Sequence, residues 1–189
     1  MSEPALALLE LSSLARGIVA ADAVVKRAVI SLLECGPVSP GKYLLLFAGG
    51  VAEVTESLEA GAAAAGDALL DRLLLPGAHD QLLPALRAGR AGVSGASLRQ
   101  AGASVGIVEL LTVASALRAA DAACKAAEVE LQLLHLARGI GGKAWFILRG
   151  ELHSVEAAVE AATRAAGDGL LAGAEIIAAP SAELRGRAL

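Results

Sequence analysis

The chain repeats itself, and this duplication limits its fold more than any other feature of the sequence. A shift of 99 residues places Glu10 on Glu109 and the segment 20–28 (AADAVVKRA) on 119–127 (AADAACKAA). After the next turn the shift becomes 101, and Gly41-Lys42 meets Gly142-Lys143. Similarity at a fixed offset marks repeated structural units. We therefore predict a tandem duplication with a first domain at 1–88, a linker rich in Gly, Ser and Ala at 89–102, and a second domain at 103–189.

Each copy is predicted to have the element order βαββαβ. Apolar runs predict the strands, and Ala-rich segments ending in Lys or Gly predict the helices. This order is typical of a ferredoxin-like α/β (α+β) fold, an antiparallel sheet covered by helices on one face. Short closing helices are expected at 79–88 and 181–189. In the first copy the strands are expected at 5–11, 29–35, 42–49 and 68–75 with helices at 14–28 and 51–66; in the second, strands at 103–110, 128–137, 143–149 and 170–178 with helices at 114–127 and 152–166.

The composition favours burial against partner subunits. Apolar residues make up 56% and charged residues 19% of the chain, against roughly 45–50% and 25% in typical domains. No uncharged run approaches the roughly 20 residues of a membrane helix, since the run 43–52 is among the longest. We therefore expect no membrane span, and the acidic flanks of the N-terminal apolar stretch argue against a signal peptide. The net charge of −4 gives no basic surface for nucleic acid.

The sequence contains no arrangement typical of catalysis. The turn 139–144 (GIGGKA) formally fits a dinucleotide motif, but it precedes a strand where that site needs a helix. It also lacks the leading Gly and the final Ser or Thr of a phosphate loop. The histidines and cysteines are isolated, and their spacing matches no metal site, disulfide framework or catalytic triad. They are His79, His135, His153, Cys35 and Cys124. A reducing cytoplasm fits the two free thiols best. We expect no enzyme.

Both copies resemble the bacterial microcompartment shell domain. The resemblance rests on LLEL, AADAVVKRA and PVSPGKYLLLFAGGVAEV in the first copy, and on IVEL, AADAACKAA and RGIGGKAWFILRGELHSV in the second. It covers nearly the whole chain in unpermuted order. The chain is most similar to the tandem-domain, trimer-forming class, and within it to the propanediol-utilisation type. The resemblance implies a structural protein whose homotrimer imitates a six-fold tile beside the hexamers and pentamers of the shell, inside the cytoplasm.

The resemblance also implies two sets of site residues. The Gly- and Pro-rich turns would line a central pore for small polar metabolites, and equivalent lysines at the end of the first helix would lie at the tile edge. The turns could equally be ordinary hairpin turns, and the lysines could simply complement helix dipoles. The implied pore residues are Ser39, Pro40, Gly41, Gly139, Ile140 and Gly141, and the implied edge residues are Lys26 and Lys125.

Two departures from the family pattern affect what can be expected of the site. Iron–sulfur members of this class carry Cys directly before the first Pro-Gly-Lys, where this chain has Ser39, so no iron–sulfur cluster is expected. Single-domain members carry Pro-Arg-Pro near the last strand, where this chain has AAPSAEL (178–184). A trimeric ferredoxin-like regulator that binds a small molecule is the alternative function, because fold alone does not decide function.

Overall fold

The computed structural model describes residues 5–90, 103–181 and 183. The chain forms two compact units. Unit 1 comprises residues 1–78 and 137–142, and unit 2 comprises residues 79–136 and 143–189. Packing therefore divides the chain at Ala78, whereas the predicted linker lies at 89–102; residues 91–102 of that linker are outside the described residues. In the described ranges, no helix combines the length and the apolarity that a membrane span requires.

Unit 1 contains one antiparallel sheet in the order β2-β3-β1-β4. The central strands β1 and β3 pair in a register that joins Ala5 to Gly49 and Leu11 to Tyr43. A single 3-10 turn leads from the second helix into the last strand. The elements are β1 (Ala5–Leu11), α1 (Leu14–Arg27), β2 (Ser31–Val38), β3 (Lys42–Gly49), α2 (Val51–Ala65) and β4 (Leu69–Leu75).

Unit 2 repeats this arrangement with the strand order β6-β7-β5-β8. It begins with an additional helix, α3, which packs against β6. The elements are α3 (Leu82–Arg90), β5 (Ser104–Leu110), α4 (Val113–Ala126), β6 (Glu130–Leu136), β7 (Ala144–Gly150), α5 (Leu152–Ala165) and β8 (Leu171–Ile177).

Matching caps and small residues position the helices of the two units. Ser13 begins α1 by accepting a hydrogen bond from the N–H of Arg16 at 3.3 Å, and Thr112 begins α4 in the same way. Such caps satisfy N–H groups that a helix start leaves without partners. In unit 1, a Cβ added at Gly17 would lie 2.3 Å from the Tyr43 ring. Glycine at this position therefore lets α1 lie directly on β3.

The predicted βαββαβ order is confirmed in both copies, with small differences at element ends. Strand β2 was predicted at 29–35 but runs from Ser31 to Val38, through Pro37. This proline is tolerated because β2 is an edge strand, which has only β3 as a neighbour. Helix α3 ends at Arg90, beyond the predicted end at 88. Of the closing helix predicted at 181–189, all but residues 181 and 183 lie outside the described residues.

Candidate functional site

The first predicted pore turn is a tight hairpin loop between β2 and β3. Val38 and Lys42 pair across the hairpin, so that Ser39, Pro40 and Gly41 form the loop. All three are exposed, and the Ser39–Pro40 peptide bond is cis. Gly41 has a φ of 71°, in the left-handed region that glycine enters at no steric cost. The loop therefore presents one small hydroxyl and otherwise backbone.

The second predicted pore turn is longer and depends more on glycine. It joins Leu136 of β6 to Ala144 of β7. Positive φ angles occur at Gly139 (72°), Gly141 (68°) and Gly142 (83°). Ala137, at the start of the turn, also has a positive φ of 52°. Glycine occupies the other three left-handed positions, which it enters freely because it has no Cβ to collide with the following carbonyl.

The structure brings the two turns together within unit 1. A Cβ added at Gly142 would lie 2.9 Å from Cδ of Pro40 and 3.3 Å from the carbonyl oxygen of Ser39. Gly142 is buried by this contact, whereas Gly139 and Gly141 are exposed. The two turns lie about a hundred residues apart in the sequence and are in contact in the structure. This contact is expected if both turns serve one site. Their role as a pore lining stays a prediction.

An ion pair that the sequence did not indicate lies beside the second turn. Nη2 of Arg138 lies 2.8 Å from Oε2 and 3.1 Å from Oε1 of Glu34 in β2. Glu34 is largely buried and Arg138 is half exposed. The pair connects residues 104 positions apart. Motif spacing could not have found it, because neither residue has a charged counterpart in the other copy (Leu133 and Ser39, respectively).

The lysine of each Gly-Lys pair contacts the glutamate of the neighbouring strand. In unit 1, Nζ of Lys42 lies 3.9 Å from Oε2 of Glu10, which is fully buried. In unit 2, Nζ of Lys143 lies 3.0 Å from Oε1 of Glu109. The buried Glu10 carboxylate needs a nearby positive charge, because desolvation otherwise disfavours its ionised form, whereas Glu109 is 41% exposed. The repeated Glu and Lys therefore form one interaction that each unit preserves.

The two predicted edge lysines occupy equivalent positions but differ in surroundings. Lys26 and Lys125 each bind an aspartate one helical turn earlier, Asp22 and Asp121, with Nζ–Oδ2 distances of 2.6 Å. Asp121 also accepts a hydrogen bond from the backbone N–H of His79 at 2.8 Å. Each lysine lies in the last turn of its helix, where it also complements the helix dipole. Their role at a tile edge stays a prediction.

The two free thiols have different environments. Cys35 is exposed, and its Sγ lies 3.2 Å from the hydroxyl of Tyr43. The pKa of Tyr43 is raised to about 12, mainly by burial and to a smaller extent by the interaction with Cys35. The pKa of the Cys124 thiol is also raised to about 12, mainly by burial and to a smaller extent by the negative charges of Asp121 and Asp80. Among the described residues, no three His, Cys, Asp or Glu side chains come close enough to hold a metal ion.

A cavity of about 390 Å³ opens on the surface of unit 2. Carboxylates and a guanidinium line it together, so its charge is mixed, and the Gln81 amide in its wall is bonded to the backbone of residues 129 and 131. A small-molecule regulator would need a polar cavity of this kind. The lining residues are Gln81, Ala103, Glu128, Val129, Glu130, Arg149 and Gly150.

Comparison with known proteins matches both repeats to one family. The model of the BMC domain matches residues 5–78 and 104–180. The chain is 41% identical over 177 residues to the bacterial microcompartment shell protein PduT of Citrobacter freundii, covering 93% of this chain and 92% of the relative.

Two solved structures agree with this assignment. A microcompartment protein from Desulfitobacterium hafniense superimposes with a TM-score of 0.84 at 39% identity, covering 97% of this chain and 98% of the other. A fused permuted hexameric shell protein from the RMM microcompartment gives a TM-score of 0.62 at 23% identity, covering 86% and 83%, and supports the fold alone. The chain belongs to the BMC domain family of bacterial microcompartment shell proteins, with two BMC domains in tandem.

Proposed function

We propose that three copies of this shell protein form a pseudohexameric tile with a central pore for small polar metabolites, in the shell of a cytoplasmic microcompartment. The structural role in the shell follows from the family. The trimer is supported by the tandem arrangement, because two similar domains per chain give six similar domains around one axis. The single observation that carries the pore is the contact of Gly142 with Pro40, which sets the two predicted turns side by side.

An apolar face on α1 supports association with further copies. Ile18 is 62% exposed, whereas its equivalent in unit 2, Leu117, is fully buried. Leu14 and Val25 are also exposed, while their equivalents Val113 and Cys124 are buried. Contiguous apolar patches of this kind mark protein interfaces. The same helix face is thus covered in one repeat and uncovered in the other, as expected if another copy covers it.

The pore turns favour passage of polar molecules. Ser39 offers a neutral hydroxyl that both donates and accepts hydrogen bonds, and three copies would present it at the axis. The remaining loop residues contribute backbone, whose N–H groups can favour anions. Arg138 stands beside the turn but is paired with Glu34, so the ion pair adds no net charge there. A neutral polar lining would select by size and hydrogen bonding.

Lys26 and Lys125 are proposed to contact neighbouring tiles. The two lysines lie at equivalent helix ends, Lys26 largely exposed and Lys125 about half exposed, and the aspartates one turn earlier hold them in place. Arg27 follows Lys26 and pairs with Glu56, whereas Ala126 follows Lys125. The two kinds of edge therefore differ, since only the edge of unit 1 carries this additional ion pair. Such a tile needs neither catalysis nor a metal cofactor, and we propose that this protein has neither.

Two substitutions on adjacent residues of α1 test the trimer. Ile18→Arg places a charge on the apolar face, and the variant should be monomeric by light scattering. Val19→Arg is the matched control, because the equivalent residue of unit 2 is already Arg118; this variant should remain a trimer. Electron microscopy should show hexagonal sheets or tubes for the wild type and the control only. A trimeric Ile18→Arg protein would contradict the proposed interface.

A further inference from the structure

The segment that follows β4 covers one sheet edge of unit 2. Strand β6 is an edge strand, and the side-chain amide of Gln81 pairs with its start as another strand would. Nε2 of Gln81 donates to the carbonyl oxygen of Val129 at 2.9 Å, and Oε1 accepts from the N–H of Leu131 at 2.7 Å. Leu82, the next residue, is fully buried. The contacts satisfy edge groups that would otherwise face solvent.

The equivalent surface of unit 1 is more exposed. A shift of 99 residues relates Leu131 of β6 to Leu32 of β2, which is also an edge strand. Leu32 is 43% exposed, against 5% for Leu131. The side chain of Asp22 is 57% exposed, against 9% for Asp121, which the backbone of His79 covers. Two equivalent positions, one apolar and one charged, are thus much more exposed in unit 1 than in unit 2.

Strand register identifies the segment of the chain that corresponds to the cover. Leu6 of β1 pairs with Leu75 of β4, and the equivalent Val105 of β5 pairs with Ile177 of β8. Beyond the last strand, the offset between the copies is therefore 102 residues. It makes Ser181, Glu183 and Leu184 the equivalents of His79, Gln81 and Leu82.

The chemistry of this segment fits the exposed surface of unit 1. A Glu183 carboxylate can accept a hydrogen bond from the N–H of Leu32, as the Gln81 amide accepts one from Leu131. Leu184 supplies the apolar side chain that Leu82 buries in unit 2. A carboxylate has no donor for the carbonyl of Ile30, the counterpart of Val129. The C-terminal contact should therefore be weaker than its counterpart in unit 2.

We propose that residues 181–189 of one copy bind the β2 edge of unit 1 in a second copy, as residues 79–86 cover β6. This inference rests on the proposed trimer. Within the chain, the segment that follows the last strand of the first repeat packs on the other repeat. If the segment that follows the last strand of the second repeat packs in the same way, it must pack on the first repeat of another chain. In a closed ring of three, every copy then gives one C-terminal segment and receives one.

Disulfide cross-linking of the full chain tests this exchange. In a Cys35→Ser background, the pair Leu32→Cys and Glu183→Cys is oxidised with copper phenanthroline. Cys124 can stay, because its raised pKa of about 12 keeps the buried thiol protonated. Non-reducing gel electrophoresis should show covalent dimers and trimers. The control pair Leu70→Cys and Glu183→Cys places the first thiol on β4 instead and should stay at monomer mass.

A second pair of cysteine substitutions and the mass of the protein in solution distinguish the remaining outcomes. Asp22→Cys with Ser181→Cys probes the counterpart of the contact between His79 and Asp121 and should cross-link in the same way. A trimer by light scattering in which neither pair cross-links between chains would overturn the exchange and leave the proposed function standing. A disulfide confined to single chains would show that the segment folds back on its own chain. A monomer in solution would overturn both proposals.

Discussion

At the residue scale, small side chains determine how the two turns meet. Gly142 combines a left-handed backbone with a contact to Pro40, whereas Gly139 combines the same conformation with open space. The resemblance to the shell-domain family implied that both turns line one pore, and the duplicated Gly-Lys marked where the two turns lie in the sequence. The sequence could not predict which glycine carries the contact, since this depends on the distance between segments far apart in the chain.

Gly142→Ala should therefore destabilise the protein more than Gly139→Ala. Both variants incur the left-handed cost of about 1–2 kcal/mol, but only at position 142 must the new Cβ also displace Pro40. The midpoint of urea unfolding at fixed protein concentration measures the difference. Equal losses in the two variants would contradict the contact between the turns.

The only tyrosine of the chain, Tyr43, gives a direct readout of folding at high pH. Its pKa is raised to about 12 in the folded protein, mainly by burial, against about 10 when unfolded. The folded state therefore binds the proton more tightly, and its contribution to stability is full below pH 10 and lost as pH rises towards 12. At pH 11, absorbance at 295 nm should show a protonated tyrosine in the native protein and tyrosinate in urea. Tyrosinate in the native protein at pH 11 would contradict this burial.

Replacing the side-chain oxygen of Ser39 by sulfur tests whether the first turns of three copies meet. If three Ser39 side chains meet at an axis, Ser39→Cys places three thiols there, and thiolates are the ligands that iron–sulfur clusters use. The wild type should be colourless, and Ser39→Cys should turn brown after anaerobic reconstitution with iron and sulfide. The visible spectrum and the iron content per trimer measure the result. A trimeric variant without iron would show that the turns do not meet.

At the scale of elements, local pattern predicted most of the fold. Ala-rich segments ending in Lys or Gly and apolar runs are short-range signals, and they located the helices and strands of both copies to within a few residues. The burial of equivalent helices was not predictable in this way. Helices α1 and α4 share the same AADA sequence, yet Ile18 is exposed where Leu117 is buried. Burial depends on what packs against a helix, which the sequence of the helix does not contain.

The ends of α1 and α4 carry the prediction about tile edges. Lys26→Asp together with Lys125→Asp places two aspartates one turn apart on each helix and removes the projecting ammonium groups. The trimer should persist, because neither lysine lies on the apolar face of α1 that is proposed as the interface. Sheet formation should be lost in electron microscopy. Normal sheets from the double variant would refute the edge role.

At the scale of the whole molecule, the duplication accounts for the features that the two repeats share and for the apolar surface that a single chain leaves exposed. Each repeat brings its own sheet, its own Glu–Lys pair and its own capped helix. The apolar excess of the composition has a structural counterpart in exposed residues such as Ile18 and Val29 of unit 1. A single chain thus leaves apolar surface uncovered, and a closed ring of three would cover it without leaving a free end.

The mass of the native particle in solution tests this account most directly. Sedimentation equilibrium or light scattering at micromolar concentration should give three times the 18.9 kDa of the chain, with no dependence on further dilution into the high nanomolar range. The proposed trimer predicts this value for the wild type and for Val19→Arg. A wild-type protein that sediments at 18.9 kDa would contradict the tile, the pore and the exchange of C-terminal segments together.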